Sequence, residues 1–237
     1  MEVQWFLEER TTFLRYYYDS AAAPFLEIHR KIEAGEPPYK SSGTDPDAGA
    51  SDEPPYMEEW SDAANALNFL GRSCISMLSG SMQLYFEAWK QELRIELDDT
   101  DRRVFSNNGI LFGYRDIFEQ LLKVPWKDCP ADLTVLEQVT LARNNDQHPQ
   151  TITSLDAYHQ KRDWKKHPDL FFISDRDRRA LAEQPDSDAL FTFANRVEVT
   201  RDKLFKAINE LEQLAGWLEP QLMTLRYGNT TGFPVRE

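Results

Sequence analysis

The chain has 237 residues, of which 41% are apolar and 12% aromatic, so its composition predicts a folded protein and excludes a disordered one. This length allows one large domain or two small ones, with a sizeable core in either case. The net charge of -13 disfavours non-specific nucleic-acid binding over the whole surface, although it leaves room for a local basic site.

Cysteine content and hydropathy indicate the compartment. The two cysteines, Cys74 and Cys129, lack Cys-x-x-Cys spacing, so neither a disulfide framework nor a zinc site is expected. The first residues lack the basic and apolar regions of a secretion signal, and no apolar run approaches the ~20 residues that span a bilayer. We therefore expect a cytoplasmic protein with no metal, no cofactor and no membrane partner.

Apolar residues recur at helical spacing from the start of the chain. They predict a first helix over residues 2–34, in which Pro24 marks a position where the helix can kink. Residues 36–55 then carry five prolines among glycine, serine and acidic residues. This segment cannot bury an apolar face, which predicts a flexible acidic insertion.

The longest periodic segment predicts a second helix from about Met57 to Leu97, with Gly71 and Gly80 as candidate bends. Residues 98–103 are polar and predict a turn. The apolar residues between Leu111 and Leu122 then mark a third helix of four or five turns.

The second half of the chain predicts a fourth helix that begins after Asp132, a residue type favoured at the N-cap. Leu170–Ile173 and Leu190–Phe193 fit either short strands or helical turns, because periodicity alone does not decide such short runs. Apolar residues from Val197 to Leu222 define a last long helix. A C-terminal tail follows over residues 227–237.

Together these elements predict an all-α fold, a helical bundle of four to five long helices with irregular insertions. We expect one domain over residues 1–226, interrupted by the insertion at 36–55.

The end of the fourth helix carries the most informative motif in the chain, Arg143-Asn144-x-x-x-His148-Pro149. Arg143 extends the apolar stripe of that helix, so it projects from a face that packs or pairs. On an unbroken helix the side chains of Arg143 and His148 would point about 140° apart around the helix axis, so they would not face one substrate. A residue before proline is disfavoured in the α conformation, so the helix is expected to end at about Gln147 and to leave His148 free to turn back.

These residue types suit the cleavage of RNA without a metal. Histidine can exchange protons with the 2'-hydroxyl and the leaving 5'-oxygen, because its pKa lies near neutral. Arginine keeps its charge and binds phosphate oxygens through a planar fork. Asn144 would hydrogen-bond the phosphate or orient the histidine. Arg143, Asn144 and His148 are therefore the candidate catalytic residues.

This motif, which follows an apolar-striped helix in an all-helical chain, resembles the R-x4-6-H motif of the HEPN superfamily (higher eukaryotes and prokaryotes nucleotide-binding). The resemblance implies a four- or five-helix bundle and a metal-independent endoribonuclease of a toxin–antitoxin or phage-defence (antiviral) system. It also implies a homodimer in which two copies of the motif meet, with RNA as substrate and a cognate antitoxin or other protein as a further partner. The specific match covers six residues.

A basic segment, residues 158–167, begins ten residues past His148 and supplies candidate RNA-binding residues. They are Lys161, Arg162, Lys165 and Lys166. A solvated basic loop is the alternative interpretation. The same segment contains a second match to the spacing, from Arg162 to His167, but it lacks the helical context and the asparagine of the first.

Two other interpretations of the first motif stay open. Arginine and histidine near the C-terminus of a helix interact favourably with the helix dipole without any catalysis. Alternatively, the chain is a catalytically inactive helical module that binds a protein partner or a nucleotide. Glu137 and Asp146 do not form a convincing acid–base pair, because nothing in their sequence context indicates burial.

Overall fold

The computed structural model describes residues 2–40, 54–148, 154–184 and 187–228, and these residues confirm an all-α fold. Most of the predicted insertion (41–53), Pro149 and the end of the predicted tail (229–237) lie outside the described residues. The described ranges contain eight α-helices. They are α1 (Val3–Ala34), α2 (Met57–Glu92), α3 (Asp99–Leu122), α4 (Leu133–Gln147), α5 (Lys161–Lys166), α6 (Asp175–Glu183), α7 (Asp188–Phe193) and α8 (Arg201–Met223).

Helix α1 buries one stripe of residues at steps of three and four, which is the periodicity that predicted it. The members of this stripe are Val3, Leu7, Thr11, Leu14, Tyr18 and Ala22. The helix continues through Pro24 to Ala34. It runs antiparallel to α2, since Arg10 hydrogen-bonds Ser81 near one end of the pair and His29 stacks on Trp60 near the other.

Helix α2 is the central element and packs against α1, α4 and α8. A Cβ on Gly71 would lie 2.3 Å from the carbonyl oxygen of Val199, so Gly71 is the point at which α2 meets the chain just before α8. The helix ends at Glu92, five residues before the predicted end. Arg94 adopts a left-handed conformation (φ 53°), and the N–H groups of Arg94 and Ile95 bond back to the carbonyls of Gln91 and Lys90. This closing turn stops the helix although apolar residues continue.

Helix α3 begins earlier than predicted, because residues 99–103 form its first turn instead of a loop. Asp98 accepts a hydrogen bond from the Asp101 N–H at 2.7 Å, and the Asp101 side chain accepts one from the Asp98 N–H at 3.2 Å. This reciprocal cap favours helix in a segment without an apolar stripe. Gly109, with φ 83° and ψ 177°, then interrupts the helix.

The chain between α4 and α8 folds into short elements with a small core of their own. Residues Leu190–Phe193 belong to α7, so the helical alternative is confirmed there, whereas Leu170–Ile173 is neither strand nor helix. Beyond α8, the last described residues form a π-helical turn, Thr224–Gly228. In the described part of the chain, none of the helices combines the length and the apolar character needed to cross a membrane.

Candidate functional site

The motif lies where α4 ends, as the sequence predicts. Asp132 caps the helix by accepting hydrogen bonds from the N–H groups of Thr134 and Val135. The helix ends at Gln147, and His148 leaves the helical conformation with φ -122° and ψ 63°. The imidazole of His148 is exposed to solvent, while its backbone N–H still bonds the carbonyl of Asn144 at 3.1 Å.

Arg143 is half-buried, as expected for a residue that extends the stripe of Leu136 and Val139, both of which are fully buried. Its Nη1 donates a hydrogen bond to Oδ1 of Asn144 at 2.9 Å. No carboxylate of the described residues forms an ion pair with Arg143. The structure therefore places Arg143 and Asn144 in direct contact and leaves the guanidinium charge available to an anion.

The next two residues, Asn145 and Asp146, anchor the motif to the rest of the fold. Asn145 is buried and donates a hydrogen bond to Oδ2 of Asp163 at 3.0 Å. Asp146 forms an ion pair with the buried Arg72 of α2 at 2.6 Å. Arg72 also donates to the carbonyl of Leu155 at 2.7 Å, so it contacts the chain both before and after residues 149–153. These contacts limit the positions that the end of α4 can adopt.

The basic segment forms α5, which lies against α4. The Asn145–Asp163 hydrogen bond joins the two helices at one point, and Lys166 pairs with Glu137 at another. The structure thus brings the predicted RNA-binding segment next to the motif helix, which the sequence could suggest only by proximity along the chain.

The four candidate RNA-binding residues differ in how far their charge is neutralised. Lys161 pairs with Asp188 and Lys166 with Glu137. Arg162 is exposed, and its Nε lies 3.6 Å from Oδ1 of Asp163. Lys165 is exposed at the edge of a cleft of about 630 Å³ and forms no ion pair with the described residues. Arg162 and Lys165 are therefore the cations of this helix best placed to meet an external phosphate.

The second match to the motif has a different environment. Its first residue, Arg162, lies on the solvent side of α5. Its last residue, His167, is the C-cap of α5 and has a largely buried side chain. The Nε2 atom of His167 lies 3.0 Å from Oε2 of Glu137. These positions make His167 a packing residue between α4 and α5, in contrast to the exposed His148.

Sequence reasoning missed three buried polar groups in this region. Glu137 is only 7% exposed, although nothing in its sequence context indicated burial. Gln138 bridges to the segment after α5, because it accepts from the Phe171 N–H and donates to the Asp169 carbonyl. His159 is 3% exposed, and burial lowers its pKa. A polar stripe on a helix normally indicates solvent, and only the long-range packing of residues 154–173 reverses that expectation.

Comparison with known proteins finds no matching family model, no significantly similar curated protein and no significantly similar solved structure. The residues of the site itself therefore indicate its chemistry. The site offers one exposed imidazole, one half-buried guanidinium held by an amide, and two exposed cations on the adjoining helix. The cations of this set can bind a phosphodiester, and the imidazole can exchange a proton with a hydroxyl group beside it.

Proposed function

We propose that the chain is a metal-independent endoribonuclease of the HEPN type, with Arg143, Asn144 and His148 as its catalytic residues. The observation that carries the proposal is the half-buried guanidinium of Arg143, which Asn144 orients at 2.9 Å and which has no carboxylate partner in the described ranges. An arginine that is partly desolvated and not neutralised binds a phosphate more strongly than an exposed one. His148 lies five residues further on, exposed and outside the helix.

In the proposed reaction His148 takes the proton from the 2'-hydroxyl of one nucleotide. The 2'-oxygen then forms a bond to the adjacent phosphorus, and the bond from phosphorus to the 5'-oxygen breaks. A protonated histidine gives its proton to that leaving oxygen, so the products are a 2',3'-cyclic phosphate and a 5'-hydroxyl. Arg143 offsets the charge that develops on the phosphoryl oxygens.

Two proton transfers favour two histidines, because one imidazole that has just accepted a proton is not positioned on both sides of the phosphorus. A homodimer would supply the second histidine, as the resemblance implies. Arg162 and Lys165 would bind neighbouring phosphates of the RNA, which suits a protein whose net charge of -13 otherwise repels nucleic acid. We place the activity in a toxin–antitoxin or phage-defence setting, where an antitoxin would be a further partner.

The first experiment measures cleavage of a single-stranded RNA by the purified chain in the presence of EDTA. The wild-type chain is expected to cleave it, and His148→Ala to lose the rate by about 10²-fold or more, because a general acid or base contributes that much. His29→Ala removes an imidazole that stacks on Trp60, far along the chain from the motif, and serves as the matched control. Equal rates for His148→Ala and wild type would contradict the catalytic assignment.

A second comparison uses the two arginines that share the same spacing to a histidine. Arg143→Ala should reduce the rate strongly, because alanine cannot supply the charge of the half-buried guanidinium. Arg162→Ala removes an exposed arginine and should weaken RNA binding, most strongly at low salt and with a shallower salt dependence than wild type, but with little effect on the rate at saturating RNA. If the two variants behaved alike, the first motif would have no special role.

A non-catalytic interaction module is the second candidate, and the exposed apolar surface of α1 and α2 favours it. Phe6, Phe13, Met77 and Leu84 are each more than 40% exposed there. Such a surface is typical of proteins that bind other proteins. The EDTA cleavage experiment separates the two candidates, because a pure binding module would leave the RNA intact.

A further inference from the structure

A cleft of about 630 Å³ opens on the surface of the small unit that contains α5, α6 and α7. Its apolar walls come from Trp164 of α5 and Pro168 just after it, and from Leu181 and Ala182 of α6. This volume lies within the range of about 300–1,000 Å³ that is typical of sites for small molecules. The cleft is therefore large enough to hold a ligand of that size.

The cleft lies on a different face of α5 from the one that contacts the motif helix. Asp163 accepts a hydrogen bond from Asn145 of α4, and Lys166 pairs with Glu137 of the same helix. Residues 164–165, between these two contacts, line the cleft instead. Binding in the cleft is therefore a property separate from the motif, and it does not depend on the proposed RNA cleavage.

Trp164 gives the cleft an aromatic wall with an unused hydrogen-bond donor. Its indole stacks on Phe191, with ring centroids 4.7 Å apart and an angle of 6° between the planes. The residue is only 7% exposed, yet its Nε1–H has no acceptor among the described residues. A buried indole N–H usually finds a partner. The wall thus suits a ligand whose ring packs against an indole and accepts a hydrogen bond.

The charges of the cleft favour an anionic ligand. The carboxylate of Asp188 pairs with Lys161, and that of Asp169 lies 3.2 Å from Nε of Arg178. Lys165 is exposed and forms no ion pair with the described residues. The uncompensated charge among the lining residues is therefore positive, although the whole chain carries a net charge of -13. An ammonium group in this position can bind a phosphate.

We propose that this cleft binds a nucleoside phosphate, with the base against Trp164 and Leu181 and the phosphate on Lys165. A nucleobase is a planar ring that carries hydrogen-bond acceptors, and the phosphate supplies the anion. A purely apolar group would leave the indole N–H and Lys165 without partners. A free nucleotide and an unpaired nucleotide of an RNA strand offer the same chemistry, because the base of either can pack on an aromatic side chain.

The first test is calorimetric titration of the full chain with each of the common ribonucleoside 5'-monophosphates, with the matching nucleosides and with inorganic phosphate. We expect at least one monophosphate to bind, and to bind more tightly than its nucleoside or phosphate alone. Lys165→Gln should raise the Kd of that monophosphate at least about fivefold and leave the Kd of the nucleoside unchanged, because it removes a charge-assisted bond to phosphate. Lys127→Gln changes an exposed lysine outside the cleft and is the matched control.

Filling the cleft tests where the base binds. Ala182 lines the cleft and is exposed, so Ala182→Trp places a large side chain in the cleft without entering the core. We expect it to raise the Kd of the monophosphate at least about tenfold and to unfold at the same temperature as wild type. Ala189→Trp adds the same side chain at an exposed position of α7 that does not line the cleft, and it should bind like wild type.

Titration with a single-stranded oligoribonucleotide separates the two sources of the ligand. It uses the His148→Ala background, so that the RNA is not lost to the proposed cleavage. Tighter binding of the oligoribonucleotide than of any monophosphate, lost on adding Ala182→Trp, identifies an RNA strand as the ligand, whereas no such gain identifies a free nucleotide. A wild-type chain that binds neither, or an Ala182→Trp variant that binds like wild type, would overturn the proposal. Because binding and cleavage are measured separately, either can fail without the other.

Discussion

His159 is a single buried residue whose environment changes its pKa. Its Nε2 lies 2.8 Å from the carbonyl oxygen of Phe172. A carbonyl can only accept, so Nε2 carries the proton and the neutral ring has a defined tautomer. Burial lowers the pKa of His159, while the nearby Asp163 raises it and Lys203 lowers it. The net effect is a lowered pKa, so folding favours the neutral form of His159.

This lowered pKa predicts a loss of stability in mild acid. The unfolded chain takes up a proton near the ordinary histidine pKa of about 6.5, whereas the folded chain does so only at lower pH. The free energy of unfolding should therefore hold above that pH and fall below it, by at most about 1.4 kcal/mol per pH unit for this one group. Urea unfolding at several pH values measures it.

The matched variants for this measurement are His159→Gln and His29→Gln. Glutamine at 159 can still donate to the Phe172 carbonyl but does not titrate, so its slope between about pH 6.5 and pH 5 should be shallower than that of wild type. His29 is only partly buried, and His29→Gln serves as the control for exchanging a histidine for glutamine elsewhere in the chain. Identical slopes for His159→Gln and wild type would show that His159 does not titrate on unfolding.

The residues of the motif were more predictable than those around it. The stripe of α4 placed Arg143 on a packing face, and Pro149 placed the helix end at Gln147, because both follow from local stereochemistry. The burial of Glu137 and His159 did not follow from the sequence. Each depends on a segment that returns from elsewhere in the chain, and one sequence contains no local signal for such a contact.

At the scale of elements, α4 acts as a support for the irregular segment that follows it. Gln138 accepts from the Phe171 N–H at 2.7 Å and donates to the Asp169 carbonyl at 3.4 Å. This segment is neither helix nor strand, so regular structure does not supply partners for its backbone groups. Gln138 bonds two of those groups instead. Helices α1, α2, α4 and α8 could be predicted from their long apolar stripes, because such stripes are local patterns in the sequence and do not depend on a long-range contact of this kind.

Removing this support should have a local effect. Gln138→Ala leaves the Phe171 N–H without its acceptor, which is expected to cost about 1–3 kcal/mol in the free energy of unfolding. Hydrogen exchange should show faster exchange at Phe171 and its neighbours, with little change in α1. Gln147→Ala, an exposed glutamine at the end of the same helix, is the control. Unchanged exchange at Phe171 in Gln138→Ala would mean that the amide is protected by other contacts.

At the scale of the whole molecule, one carboxylate joins three helices that are distant in sequence. Glu219 of α8 is buried and accepts hydrogen bonds from Tyr85 Oη at 3.0 Å and Trp89 Nε1 at 2.7 Å, both from α2. Its other oxygen accepts from the Gln4 N–H of α1 at 3.1 Å. A single side chain thus satisfies three donors at the point where the start of the chain meets its last long helix. Sequence patterns would place a glutamate in α8 at the surface.

Replacing this carboxylate by an amide of the same shape tests how much the fold depends on it. In Glu219→Gln one oxygen becomes an NH₂ group, which would face a donor from α1 or α2 and leave it unpaired. We expect the free energy of unfolding to fall by about 2 kcal/mol, the cost of one unsatisfied buried donor together with the loss of charge-assisted bonds. Chemical denaturation followed by tryptophan fluorescence measures the change, and Trp89 makes the site itself visible. Glu33→Gln removes the same charge at an exposed position of α1 and should change stability by less than about 0.5 kcal/mol. If both variants were equally stable, the three donors would be satisfied without the carboxylate, and packing alone would hold α1, α2 and α8 together.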